Sequence, residues 1–162
     1  MVKDEKRKIL IVDDDRLSLK VASDILEDEY DVDCVICGED SLTYLKENTP
    51  DLILMDLHMP GMGGKAAISQ IMSSKTLRKI PIICLTADSK PETEIQCLTM
   101  GALDYITKPF VPQVTKSRIS RVIELNELRN HLEEQLNKKT ALLEQVTVNF
   151  IMAIAHTIDA KD

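Results

Sequence analysis

The sequence has no tryptophan and few aromatics of any kind, 3% of 162 residues. A core built from it must be aliphatic, which suits a parallel sheet covered by helices on both faces. An excess of basic charge is also missing. The formal net charge of −7 argues against nonspecific binding of nucleic acid or of an anionic membrane by the chain as a whole. No long apolar run follows the charged start Met1-Val2-Lys3-Asp4-Glu5-Lys6-Arg7-Lys8; only Ile9-Leu10-Ile11-Val12 separates it from Asp13. That is too short for a signal core or a membrane span, so the expectation is a cytoplasmic protein with no membrane partner. The cysteines are Cys34, Cys37, Cys84 and Cys97. Cys34-x-x-Cys37 has neither the second ligand pair of a zinc site nor a visible helix N-terminus for redox work, so these thiols are expected in or near the core. The length allows one domain of ordinary size, or one domain with an extension.

Short apolar runs alternate with amphipathic stretches from residue 8 to about 125. The runs at 8–12, 32–36, 51–55, 81–85 and 103–106 read as strands. Arg16 to Asp28 places Leu17, Val21 and Ile25 at helical spacing. Asp40 to Asn48 carries Leu42 and Leu45, with Asp40 or Ser41 as the expected cap. Gly64 to Ser73 carries Ala67, Ile68 and Ile71. Pro91-Glu92 opens a further helix and Gly101 closes it. From Pro112 the pattern is helical to the end. Five βα units in series predict an α/β fold, a doubly wound five-stranded parallel sheet in the order 2-1-3-4-5. Ligands of such sheets bind outside the carboxyl ends of the strands, at the switch point between the first and third.

The residues ending these runs carry useful chemistry. Asp13 and Asp14 follow the first, Asp56 ends the third, Thr86 the fourth and Lys108 the fifth. Each alone has an ordinary reading: a helix cap, a turn residue, a polar residue after a strand, a solvated cation. Together they fall on one predicted sheet edge. Three carboxylates, a hydroxyl and an ammonium can hold a divalent cation and a phosphoryl group on an aspartate. An aspartate can attack phosphorus. Its repulsion with an anionic donor is relieved by a hard cation such as Mg²⁺, which prefers one or two carboxylates plus water and phosphate oxygens. Lys108 supplies a point charge and Thr86 a donor.

These residues and intervals resemble the receiver domain of two-component response regulators, the flavodoxin-like receiver fold. The resemblance covers about residues 7 to 125. Asp13-Asp14 matches its acidic pair and Asp56 its phosphoacceptor. Met59-Pro60-Gly61-Met62-Gly63-Gly64 matches its loop, and Thr86-Ala87 its switch hydroxyl and small neighbour. Tyr105 matches its switch aromatic, and Lys108-Pro109-Phe110 its Lys-Pro-Phe signature. The resemblance implies that a sensor histidine kinase donates a phosphoryl group to Asp56. It implies Mg²⁺ on Asp14, Asp56 and the backbone carbonyl of His58, with Asp13 partly through water. Thr86 and Lys108 would bind phosphoryl oxygens, Thr86 would move toward them, and Tyr105 would rotate inward. The Lys108-Pro109 bond is expected to be cis.

The organisation read from the sequence is a receiver over 1–121, a coiled-coil linker helix over 122–149 and the start of an output domain over 150–162. Leu125, Leu128, Leu132 and Leu136 are spaced 3-4-4, and Leu143, Val146 and Phe150 restart a seven-residue phase. That pattern predicts a dimeric coiled coil with a stutter. No basic patch with interleaved aromatics is present, so direct contact with nucleic acid is not expected. The stretch from Phe150 to Asp162 resembles the first helix of HD-GYP cyclic-di-GMP phosphodiesterase domains, through Ala155 and Ile158-Asp159-Ala160-Lys161-Asp162. The metal-ligand histidines of that family are not in these residues, and His156 reads as a helix-face residue. The 162 residues are therefore expected to be a phosphoacceptor and not an enzyme in their own right. The alternative to an enzymatic output is a stand-alone receiver acting by protein contact.

Overall fold

The computed structural model describes residues 5–161; residues 1–4, which begin the first segment, and Asp162, which ends the last, lie outside the described residues. Five strands, β1 (Lys8–Val12), β2 (Asp31–Val35), β3 (Leu52–Asp56), β4 (Ile82–Thr86) and β5 (Asp104–Thr107), form one parallel sheet in the order β2-β1-β3-β4-β5. The helices are α1 (Arg16–Leu26), α2 (Gly38–Glu47), α3 (Gly64–Ser73), α4 (Pro91–Thr99) and α5 (Pro112–Asp159), with a short 3₁₀ turn at Leu77–Lys79. The expected fold class and strand order are the observed ones.

Strand alternation sorts the core into two layers. Ile9, Ile11, Leu52, Leu54, Ile83 and Leu85 face α1 and the first turns of α5, where they meet Leu19, Leu26 and Ile119. Leu10, Val12, Ile53, Met55, Ile82 and Cys84 face α2, α3 and α4, where they meet Leu45, Ile68, Ile71 and Cys97. β1, β3 and β4 are covered on both sides, and their branched side chains are fully buried. Each such side chain is worth about 1.5–3 kcal/mol relative to exposure. That burial clamps the three central strands, and the clamp holds their carboxyl ends in register.

Two local expectations need correction. α2 starts at Gly38, two and three residues before the expected caps Asp40 and Ser41. Its N-cap is Cys37, whose sulfur accepts the Asp40 N–H at 3.4 Å. Cys34 is exposed, because β2 is an edge strand, so only Cys84 and Cys97 are core thiols. The cap of α1 was not assigned from the sequence. It is Asp15, accepting the N–H groups of Leu17 and Ser18 at 3.1 and 3.3 Å.

The chain divides into two compact units, Met1–Glu124 and Leu125–Asp162. Val122 and Ile123 belong to the first unit's core, so that core runs past residue 121. In the second unit Leu125, Leu128, Leu132, Leu136, Leu143 and Val146 are all exposed on the helix. The helix passes Phe150 without a break and reaches Asp159, so the change of composition near 150 brings no change of secondary structure. Successive residues step about 100° around a helix, so Phe150-Ile151-Met152 and Ile154 make its last turns apolar on several sides. Among the described residues this helix alone is long and apolar enough to cross a membrane. Length and composition alone do not make a span, because a core helix of a soluble protein passes the same test.

Candidate functional site

The pairing register brings the strand ends together. Val12 pairs with Met55, Asp56 with Leu85 and Thr86 with Thr107. Asp13 therefore leaves β1 beside the end of β3, and Lys108 leaves β5 beside the end of β4. Parallel strands need crossovers, so every strand runs its carboxyl end to the same edge.

Asp13 is fully buried and accepts the Asp15 N–H at 2.9 Å. Asp14, its neighbour, is exposed. Asp56 is 6% exposed, and its Oδ1 accepts the His58 N–H at 3.0 Å. That bond ties the start of the following loop, and with it His58, to the site. Ligand oxygens of Asp13, Asp14 and Asp56 all lie within 4.8 Å of one another. Lys108 reaches in from the far strand, donating from Nζ to Asp13 Oδ2 and, at 3.0 Å, to Asp56 Oδ2. Its own backbone N–H is held by the Thr86 carbonyl at 2.8 Å, and its bond to Pro109 is cis, as expected.

Burial pushes the Asp13 carboxyl above its ordinary range, and the Lys108 hydrogen bond pulls it part of the way back. Lys108 is opposed by its own burial, but Asp13 and Asp56 outweigh that and raise it. Three carboxylates against one ammonium leave two negative charges uncompensated in a cleft of oxygen donors. Such a donor set fits a hard divalent cation.

Thr86 is buried, and its hydroxyl donates to the Asp88 carbonyl and accepts the Asp88 N–H, both at 3.0 Å. It is engaged by its own loop and makes no bond to Asp56. Tyr105 is half-buried on β5, with the Arg118 guanidinium 5.3 Å from its ring centroid. The structure thus brings Asp13, Asp14, Asp56 and Lys108 together directly, and leaves Thr86 and Tyr105 nearby on the adjoining strands.

The matched loop ends in Gly64, and the structure supplies the reason; a second support, Arg118 with Asp104, escaped the sequence reading. A Cβ on Gly64 would stand 1.9 Å from the Asp56 carbonyl oxygen, so only glycine lets α3 start against the end of β3. Arg118 and Asp104 form an ion pair at 2.7 Å beneath Tyr105; fourteen positions apart, they give no local signal. Asp15 did leave one, an acidic residue three before a serine at a helix start.

Residues 9–120 match the model of the response regulator receiver domain. A probable cyclic di-GMP phosphodiesterase of Vibrio cholerae is 32% identical over 162 residues, covering 95% of this chain and 36% of that protein. The chain thus spans about a third of that relative's length. Among solved structures, the signal receiver domain of a signal transduction histidine kinase from Syntrophus aciditrophicus is 35% identical with a TM-score of 0.67. The match covers 73% of this chain and 90% of that one. The chemotaxis protein CheY4 of Vibrio cholerae is 28% identical with a TM-score of 0.68, covering 72% of this chain and 98% of that one. With more than half of its length in the family model, and with that fold, this chain belongs to the response regulator receiver family.

Proposed function

We propose that the chain is the phosphorylation switch of a larger signalling protein, with Asp56 as phosphoacceptor and a sensor histidine kinase as donor. The observation that carries the reading is the meeting of three carboxylates within 4.8 Å with a lysine that bonds two of them. Asp13, Asp14, Asp56 and the backbone carbonyl of His58 would hold Mg²⁺, which supplies the positive charge that lets an anionic donor approach an anionic nucleophile. An Asp56 carboxylate oxygen forms the new P–O bond as the P–N bond to the donor imidazole breaks. The imidazole leaves with the electron pair and takes up a proton. Lys108, already at hydrogen-bond distance from Asp56, is the cation for a phosphoryl oxygen. Thr86 gives up Asp88 to reach another, and Tyr105 turns inward behind it. The face of α4, β5 and α5 then changes partner.

The output is read from the second unit. The exposed seam from Leu125 to Val146 favours a parallel homodimer, because an apolar stripe on a lone helix stays in contact with water. The apolar last turns favour a cover supplied by a following domain. The resemblance to an HD-GYP entry helix and the longer Vibrio cholerae relative both favour a cyclic-di-GMP phosphodiesterase in that place. On this reading the protein acts in the cytoplasm and touches neither nucleic acid nor membrane.

The test is intact-mass measurement after incubation with a small phosphodonor. Wild type should gain one phosphoryl group with Mg²⁺ and none with chelator. Asp56→Asn should gain none in either. Equal labelling of the variant defeats the assignment, and chelator-independent labelling defeats the cation.

A further inference from the structure

Tyr105 is held at its ring and at its backbone. Arg118, on α5, lays its guanidinium 5.3 Å from the ring centroid. It is not free to follow the ring, because its Nη1 donates to Asp104 Oδ1 at 2.7 Å. The same Oδ1 accepts the Tyr105 N–H at 2.9 Å, and Asp104 is only 8% exposed. A largely buried carboxylate thus fixes both the backbone of the tyrosine and the cation over its ring. Arg121 stands 3.7 Å from the other Asp104 oxygen and adds a second cation to the anchor. Glu94, on α4, pushes the Tyr105 phenol above its ordinary value.

We propose that Arg118 is a positioning residue that latches Tyr105 in its half-exposed place, and so sets how tightly the resting Asp56 site takes a phosphoryl group. This rests on the phosphorylation switch proposed above. Inward rotation of the ring breaks the guanidinium contact. Arg118 cannot move with it, because it is tied to β5 through Asp104. The contact therefore favours the resting state alone. A contact made in one state only biases the equilibrium by its full strength, and coupling is reciprocal. Loosening the latch must tighten the phosphoryl site, although Arg118 bonds none of Asp13, Asp14, Asp56 or Lys108.

The experiment is a titration with Mg²⁺ and beryllofluoride, a phosphoryl mimic. Arg118→Met, which keeps the stem but not the cation, should bind it roughly two- to five-fold more tightly than wild type, the scale of one partly exposed cation–π contact. Arg118→Lys keeps a cation for Asp104 but not the stacking plane, and should show part of the gain. It also covers the case in which Arg118→Met fails to fold. In a Tyr105→Leu background the Arg118 substitutions should change nothing, because the ring they act through is gone. Unchanged affinity in both Arg118 variants, or the same gain without Tyr105, overturns the latch. A second readout stands apart from phosphoryl chemistry. With fluorotyrosine at the three tyrosines, broadening of the Tyr105 fluorine line by a soluble paramagnetic probe should fall in unliganded Arg118→Met as the ring leaves solvent. If wild type takes up no beryllofluoride, the phosphorylation reading fails, and this line alone decides the latch: unchanged broadening overturns it.

Discussion

Gly64→Ala should damage both the fold and the site, while Gly63→Ala, one residue earlier, should not. The added Cβ at Gly64 would lie 1.9 Å from the Asp56 carbonyl oxygen, 2.8 Å from its carbonyl carbon and 2.9 Å from Leu57 Cα. All three are backbone atoms, so no side-chain rotation relieves the overlap. α3 must back away from the end of β3 by roughly 1.5 Å to restore ordinary contact. Overpacking of this kind costs about 1–3 kcal/mol, sometimes more. Removing a glycine from a helix returns at most about 1 kcal/mol. A clash with backbone takes the upper end of that cost, so the net expectation is a loss of about 2 kcal/mol, with Asp56 displaced from Asp13 and Lys108. At Gly63 the nearest atoms to an added Cβ are the carbonyl oxygens of Met59 and Leu57, at 3.5 and 3.6 Å, which is ordinary contact. Its φ of −67° is open to alanine. The lower freedom of the unfolded chain then offsets the weaker cap, for a change within about 0.5 kcal/mol. Urea unfolding of the two variants, with phosphodonor labelling in parallel, measures both effects. A Gly64→Ala protein as stable and as readily labelled as wild type would refute the packing argument.

Lys108→Met leaves Asp13 and Asp56 buried without an ammonium, and should cost about 1–3 kcal/mol at neutral pH, discounted for the partial exposure of the lysine. Burial already raises Asp13 in the folded state, and a carboxylate raised on folding destabilises progressively as pH rises from its unfolded to its folded value. The deficit of the variant should therefore shrink as pH falls through the acid range, and urea midpoints against pH that show it growing there would contradict the sign. Thr86→Ala should still accept a phosphoryl group, yet show a blunted change in spectra or sizing, because the hydroxyl released by Asp88 is missing; a full wild-type response would exclude the coupling. Ending the chain near Leu125 should give a monomer or weak dimer where the full chain is a dimer. Light scattering that finds the full chain monomeric at high concentration would reject the coiled-coil seam.

The sheet was legible because its signals are local. Each central strand is an unbroken apolar run, and each ends in a residue of distinct chemistry, so order and edge followed from the βα rhythm. β1 came out at 8–12 with no error, and the other strands within one residue. The caps were less legible because several residues competed for one position: three consecutive aspartates before α1, and Cys37 ahead of two better capping types before α2. The exposure of Cys34 depends on which strand stands at the edge, a property of the whole sheet. Asp13, Asp14, Asp56, Thr86 and Lys108 were readable as strand-end residues. The Arg118–Asp104 pair and the close approach of Gly64 to Asp56 were not, because each depends on how α5 or α3 packs against the sheet. Whether Thr86 points to Asp56 or back to Asp88 is a choice between two hydrogen-bond partners, and no spacing in the sequence encodes it.

The central claim is that the Asp56 carboxylate, and no other group, becomes an acyl phosphate. It is tested most directly by treating the chain with a small phosphodonor and Mg²⁺, reducing the acyl phosphate with borohydride, and sequencing the peptides by mass spectrometry. The account predicts reduction of one aspartate, Asp56, to the corresponding alcohol, lost when Mg²⁺ is chelated. Reduction at Asp13 or Asp14 instead, or no reduced residue in a fully folded sample, would contradict it.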